Sequence, residues 1–328
     1  MKRRAFITAL GGEAVWPLAG HAQPSERMRR VGWLVPWPET DPVTKASITA
    51  FAQALEALGW VEGKNIRIDY RFASGDPALY KIYAAELVAL SPDVLLAGNT
   101  PAVPPLLQQT HTIPIVFVLV SYPVELGIVQ SLARPGGNIT GFSAYDAPIM
   151  GKWVQLLKEV APRVNRVAVI FNPGFTPFAT FFNRSIEAAA PSFAITVTIA
   201  PVHDDAEIEE VIASVAHEPG GGLIDLPEGF SVAHRDVITA AALGHGLPLI
   251  GLAELARAGG LIAYAFNTVD VHAQAASYID RILKGASPSD LPVQQPTKYS
   301  LIINLKTAKA LGLTISERIL DLADEVIE

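Results

Sequence analysis

Polar, acidic and aromatic residues gather just beyond a series of short apolar runs. Trp37 and Asp41 follow 31–35, Asn99 and Thr100 follow 94–97, Ser121 and Tyr122 follow 115–120, and Asn172, Phe175 and Thr176 follow 167–171. Asp225 lies in the run 223–226 with Glu228 just after it, and Tyr264, Phe266 and Asn267 close the run that starts at 261. Hydroxyls, amides, carboxyls and rings of these types suit recognition of a small solute. Thr100 and the N–H groups after it are placed to hold a carboxylate, and Trp37, Tyr122 and Phe175 to flank an aromatic or branched body. Asp225 or Glu228 is placed either to receive a cation or to cap a helix. Taken singly, Asn-Thr-Pro and Pro-Glu-Gly are ordinary turn and cap sequences; their shared position beyond the apolar runs is what suggests a cleft.

Bond-breaking chemistry has little to work with. The chain has no G-x-S-x-G elbow, no H-E-x-x-H pair, no Walker lysine loop and no G-x-G-x-x-G after its first apolar run. No enzyme is therefore expected. His203-Asp204-Asp205 carries metal-ligand side chains, yet an aspartate there is well placed to cap the helix bearing Glu207, Glu209 and Glu210. Neither a metal nor a cofactor is expected.

The chain has 328 residues, half of them hydrophobic and 17% charged, which is apolar material for about two packed domains. A net charge of −7 leaves no basic surface for a phosphate backbone, so nucleic acid is not an expected partner. The absence of cysteine excludes disulfides and thiolate chemistry. Residues 1–22 have the build of a signal peptide: Lys2, Arg3 and Arg4, a mostly apolar run to Leu18, then Gly20-His21-Ala22 at the cleavage position. Arg3-Arg4-Ala5-Phe6-Ile7 also resembles the twin-arginine export pattern. Gly11, Gly12 and Glu13 interrupt the run, which is too short for a membrane-spanning helix of about 20 residues. Cleavage after Ala22 removes three cations and one anion, taking −7 to −9; the expected location is periplasmic.

Bringing the candidate residues together requires alternating strands and helices. A strand at 31–35 precedes a helix over 44–58, where Ile48, Phe51, Ala52, Leu55 and Leu58 keep helical spacing until Gly59. Strands at 66–72, 94–97 and 115–120 alternate with helices at 77–90 and 102–109. After a Gly-rich turn at 134–138 and a strand at 139–142 the alternation restarts: helix 149–160, strand 167–171, helix 177–190, strand 195–199, helix 206–217, strand 223–226 and helix 232–244. This pattern predicts an α/β protein of two Rossmann-like lobes with parallel sheets, whose ligands bind beyond the carboxyl ends of the strands. The rest reads as a strand at 261–265, a helix over 271–284, an extended stretch at 288–296, a strand at 301–303 and helices at 306–311 and 317–326. The expected organisation is a first lobe of 29–145 with about 266–298 and a second lobe of 146–265. Residues 299–328 form a C-terminal strand and helices assigned to neither lobe. Hinge crossings are expected at 143–148, which includes Tyr145, and at 265–268.

Four segments carry a family resemblance. Glu62-Gly63-Lys64-Asn65, Ser-Leu-Ala-Arg-Pro-Gly-Gly-Asn-Ile-Thr-Gly at 131–141, Asp290-Leu291-Pro292-Val293 and Ile-Asn-Leu-Lys-Thr-Ala-Lys-Ala-Leu-Gly-Leu at 303–313 resemble the ABC transporter substrate-binding proteins, a family with tryptophan- and phenylalanine-binding members. The resemblance implies a type I periplasmic binding protein: two lobes that close by hinge motion on a small-molecule solute and deliver it to an ABC permease in the inner membrane. It implies a largely monomeric protein that leaves its ligand chemically unchanged. A ligand-sensing module for a membrane receptor is the alternative, and an α/β enzyme a weaker one. In one place the chain departs from the pattern. Tyr122-Pro123-Val124 stands where members often have Asp-Pro-Val, and the loss of that carboxyl argues against an α-amino acid ligand.

Overall fold

Apolar β-branched runs build the strands, and Asp-Pro pairs start the first two helices. The computed structural model describes residues 27–145 and 147–328, so the expected signal peptide lies outside the described residues. Strands β1 (Arg29–Val35), β2 (Ile66–Phe72), β3 (Val94–Ala97), β4 (Ile115–Val120) and β5 (Ile139–Ser143) form one sheet, parallel throughout, in the order β2-β1-β3-β4-β5. Helices α1 (Pro42–Ala57), α2 (Pro77–Ala89) and α3 (Val103–Gln109) connect its first four strands. Asp41 caps α1 by accepting the N–H groups of Val43 and Thr44 at 2.9 Å each, while Pro42 occupies the first turn, where an N–H would have no helical partner. Asp76 and Pro77 begin α2 in the same way.

The second sheet repeats the plan. Strands β6 (Arg166–Phe171), β7 (Thr196–Pro201), β8 (Gly221–Asp225), β9 (Leu249–Gly251) and β10 (Ile262–Ala265) run in the order β7-β6-β8-β9-β10. Before and between them lie α4 (Ala147–Val160), α5 (Ala179–Ala189), α6 (Asp205–Ala216), α7 (Gly229–Ala233), α8 (Arg235–Gly244) and α9 (Ala253–Ala258). β3 and β8 are buried at every position, as parallel strands covered on both faces must be. The chain then returns to the first sheet, where α10 (Thr268–Leu283) packs on α1 and β4. The Trp60 indole N–H donates to Asp280 at 2.8 Å across that contact. A final crossing adds β11 (Ser300–Asn304) beside β10 and, after α11 (Leu305–Ala310) and α12 (Glu317–Leu322), β12 (Glu325–Ile327) beside β11. Among the described residues no helix is long and apolar enough to cross a membrane.

Several sequence expectations change. The second sheet is not wholly parallel: β11 is antiparallel to β10, because the chain reaches it from the other lobe rather than through a helix on the same sheet. The helix predicted over 317–326 stops at Leu322. There the Asp324 carboxylate accepts the Leu301 N–H at 2.9 Å and its own N–H donates to the Leu301 carbonyl, pinning the chain as an edge strand along β11. The helix predicted over 232–244 divides at His234, whose φ of −102° and ψ of 13° leave the helical region. β9 and α9 have no counterpart in the sequence reading, since three residues are too few to show a period.

Gly141 shows how closely the first sheet is built. A Cβ at this position would lie 2.0 Å from the Phe117 carbonyl oxygen on β4. Gly141→Ala is expected to lower the unfolding free energy by at least about 3 kcal/mol, the upper end of overpacking costs. Urea denaturation measures this, and an unchanged midpoint would show that β4 and β5 can separate at no cost.

Candidate functional site

Each sheet reverses its winding once, between β1 and β3 in the first and between β6 and β8 in the second. At such switch points neighbouring loops run in opposite directions and leave a crevice beyond the strand ends. Here the two crevices face each other and enclose a cavity of about 730 Å³, mouth included. The first lobe lines it with Trp37, Asp41, Val43, Asn99, Thr100, Pro101, Leu119 and Ser121, and the second with Phe175, Phe178, Pro227, Glu228, Gly229, Val232, Leu252 and Glu254. Ala144, Tyr145, Phe266 and Thr268 reach it from two of the crossings.

Local geometry fixes the first-lobe wall. Asn99 accepts the Ala102 N–H at 3.1 Å and donates to the Tyr80 hydroxyl at 3.0 Å, so its amide is committed to the turn. The Thr100 hydroxyl oxygen accepts the Ser121 N–H at 3.1 Å, which ties β3 to β4 and leaves the hydroxyl proton of Thr100 for a solute. Pro101 has no N–H and that of Ala102 is taken. The carboxylate grip expected from the N–H groups after Thr100 therefore reduces to the hydroxyls of Thr100 and Ser121. At the end of β4 the register with β5 shifts between Phe117 and Val120, and Leu119 and Tyr122 adopt φ values of 56° and 53°. This bulge aims Leu119 into the cavity.

The lining is aromatic and acidic, with no lysine or arginine among its described residues. Glu228 is 7% exposed, and its carboxyl accepts the Asn172 N–H at 2.5 Å and bonds the Thr176 hydroxyl. Burial outweighs those two bonds and pushes its pKa up to about 8. Asp225, wholly buried, accepts from Ser231 at 3.0 Å; burial first, then the charge of Glu228, hold its pKa well above the usual carboxylate range. Glu254 is half-buried, and its pKa is raised chiefly by desolvation; its own backbone N–H and the charges of Arg257 and Arg235 oppose the rise, and nearby Asp41 adds to it. Behind Trp37, His272 stacks on Trp33 at 5.4 Å, and burial lowers its pKa to about 4, so it offers no compensating charge at neutral pH.

The structure brings Trp37, Asn99, Thr100, Ser121, Tyr145 and Phe175 together on the cavity wall. The remaining candidates lie outside the lining. The left-handed backbone of Tyr122 turns its ring into a cluster with Phe178, Phe181 and Phe182 of the second lobe, at 4.8–6.2 Å. Asn172 and Thr176 stand behind Glu228 as its partners, and Asp225 lies beneath it. Tyr264 stacks on Tyr299 at 5.4 Å and its carbonyl accepts the Trp153 indole N–H. Asn267 caps α10 and borders a separate groove with Gln294 and Lys298. Sequence reasoning missed Leu119, Phe178, Leu252 and Glu254; the last two attend the unread β9 and α9. Away from the cavity, Asp204 caps α6 by accepting the Glu207 N–H at 2.9 Å, and His203 pairs with the Glu207 carboxylate.

Two lobes meeting at the carboxyl ends of their sheets around a solute-sized cavity have the architecture of type I periplasmic binding proteins. The chain belongs to the ABC transporter substrate binding protein family, which it matches over residues 40–327. It is 27% identical over 296 residues to the tyrosine-binding protein of Clostridioides difficile strain R20291, covering 88% of this chain and 82% of that one. A conserved domain protein of Vibrio cholerae is similar in structure with a TM-score of 0.85 and 29% identity, covering 92% of this chain and all of the other. An ABC domain from Streptococcus pneumoniae in complex with L-Trp has the same fold, with a TM-score of 0.84 and 23% identity over 91% of this chain and 99% of the other.

The raised Glu228 pKa links stability to pH. An unfolded glutamate titrates near 4.5 and the folded one near 8, so between these values the folded state holds the extra proton. The contribution is full below about pH 4.5 and is lost as pH rises through about 8. Glu228→Gln keeps both hydrogen bonds with a neutral amide and is expected to flatten part of that decline, leaving the share due to Asp225. Denaturation midpoints from about pH 5 to pH 8 measure it; equal slopes for the two proteins would contradict a neutral Glu228.

Proposed function

We propose that this chain is the periplasmic solute-binding component of an ABC importer, that it takes an aromatic L-α-amino acid, and that it passes this solute to a permease in the inner membrane. One observation carries the reading: the cavity combines aromatic walls with carboxyl groups and, among its described residues, no lysine or arginine. Such a lining rewards a ligand that brings its own positive charge and an apolar body. Glu254 and Asp41 receive the ammonium group, the Thr100 and Ser121 hydroxyls receive the carboxylate, and Trp37, Tyr145, Phe175, Phe178 and Phe266 surround the ring. The Tyr122 departure loses its force against an amino acid, because α9 and the loop after β1 supply the acids instead. The tyrosine-binding relative and the L-Trp complex support the same ligand class. The signal-like residues 1–22 support export, and the lobes act as a monomer that closes about 143–148 and 265–268.

Magnitudes rank the contacts. A hydrogen bond to a charged group contributes about 1.5–3 kcal/mol, and an aromatic contact about 0.5–1.5 kcal/mol beyond area burial. The ammonium group therefore governs acceptance, and the rings choose among amino acids. Calorimetric titration with L-tyrosine, L-tryptophan, L-phenylalanine and their desamino analogues is expected to give saturable one-to-one heats for at least one amino acid and none for the analogues. Glu254→Gln is expected to weaken that binding about tenfold to a hundredfold. Tighter binding of the desamino compounds, or an unaltered affinity in Glu254→Gln, would overturn the assignment.

A further inference from the structure

We propose that closure of the cleft is controlled by two reciprocal sockets, in each of which a glycine of one lobe receives an aromatic ring from the other. Gly229, at the start of α7 in the second lobe, faces Trp37 of the first; a Cβ there would stand 3.1 Å from the indole Nε1. Gly75, in the first-lobe loop after β2, faces Phe175 of the second lobe, and a Cβ there would stand 2.7 Å from Cε1 and 3.0 Å from Cζ. Both rings also line the cavity, so the side chains that form the solute's walls also touch the opposing lobe.

The two halves of each socket belong to different lobes, so the contacts exist only when the cleft is shut. A side chain added at Gly75 requires the Phe175 ring to shift in the closed state, one at Gly229 requires the Trp37 indole to give by a few tenths of an ångström where packing holds it, and neither meets the opposing ring in the open state. Apparent affinity scales with the population that is competent to bind, so the sockets tune how tightly any solute is held over and above the contacts their rings make with it. The backbone does not require glycine at 229, whose φ is outside the left-handed region, and alanine is favourable in the first turn of a helix. Gly75 has a φ of 77°, which asparagine tolerates better than other residues with a side chain. This inference rests on the closure proposed above, not on which solute fills the cavity.

The ion pair between Asp41 and Arg235, 3.8 Å apart across the lobes, gives a ligand-free test. The chain has no cysteine, so an Asp41→Cys/Arg235→Cys pair is the sole reaction site for a short bis-maleimide cross-linker that bridges only a shut cleft. With no solute present, Gly229→Ala in this background is expected to slow cross-linking about threefold to tenfold, Gly229→Val more, and Gly75→Asn at least as much as Gly229→Ala. Adding Trp37→Leu to Gly229→Ala is expected to restore the rate. Mono-maleimide labelling of each single-cysteine chain sets the reactivity baseline. Rates unchanged by Gly229→Ala and Gly229→Val would overturn the proposal. So would a slowing that Trp37→Leu fails to relieve, because that would trace it to damage in α7. If cross-linking follows the sockets but no amino acid binds, the ligand assignment fails and the closure mechanism stands.

Discussion

Carboxyl groups gathered at the meeting point of two sheets, with no lysine or arginine among the described residues of the same wall, impose the constraint around which this protein is arranged. An ionised carboxylate in a partly dry cavity costs several kcal/mol unless something compensates it, and the chain answers differently at each position. Asp41 directs its charge to the N-terminus of α1, accepting two backbone N–H groups, and has Arg235 3.8 Å away across the cleft. Glu228 remains largely neutral, held by Asn172 and Thr176. Asp225, beneath it, has its pKa held well above the usual carboxylate range, first by burial. At Glu254 burial raises the pKa despite the opposing charges of Arg257 and Arg235.

That arrangement depends on the architecture being used twice. Each lobe brings loops from opposite directions to a single switch point, and the crossings hold the two switch points face to face. The acids come from the end of β8 and the segments after β1, β8 and β9, and no one lobe holds them all. The bulge at the end of β4 adds Leu119 to the apolar wall at the expense of a left-handed backbone at two residues. Such local strain persists because the buried strands on both sides determine the backbone path.

The fold was largely legible in the sequence, because parallel strands covered on both faces leave uninterrupted apolar runs and the connecting helices leave a 3.6-residue stripe. What stayed hidden was short or depended on neighbours. β9 is too brief to show a period, and β12 is a three-residue edge strand paired with β11 and anchored where Asp324 bonds Leu301. For the candidate site, position beyond a strand end leads to Trp37, Thr100, Ser121 and Phe175, which line the cavity. It failed at Tyr122, where backbone handedness rather than residue type decides which way the ring points. It failed at Asn172 and Thr176 because a neighbouring acid, Glu228, claims them. The expected carboxylate grip after Thr100 overlooked Pro101, whose missing N–H was already visible in the sequence.

The most direct measurement of the central claim is a crystal structure of the chain grown with L-tyrosine. The account predicts that the ammonium nitrogen lies within about 3.2 Å of Glu254 or Asp41, with the ring among Trp37, Phe175 and Phe266. An amino acid bound with its carboxylate toward Glu254, or bound elsewhere while this cavity stays closed and empty, would contradict it.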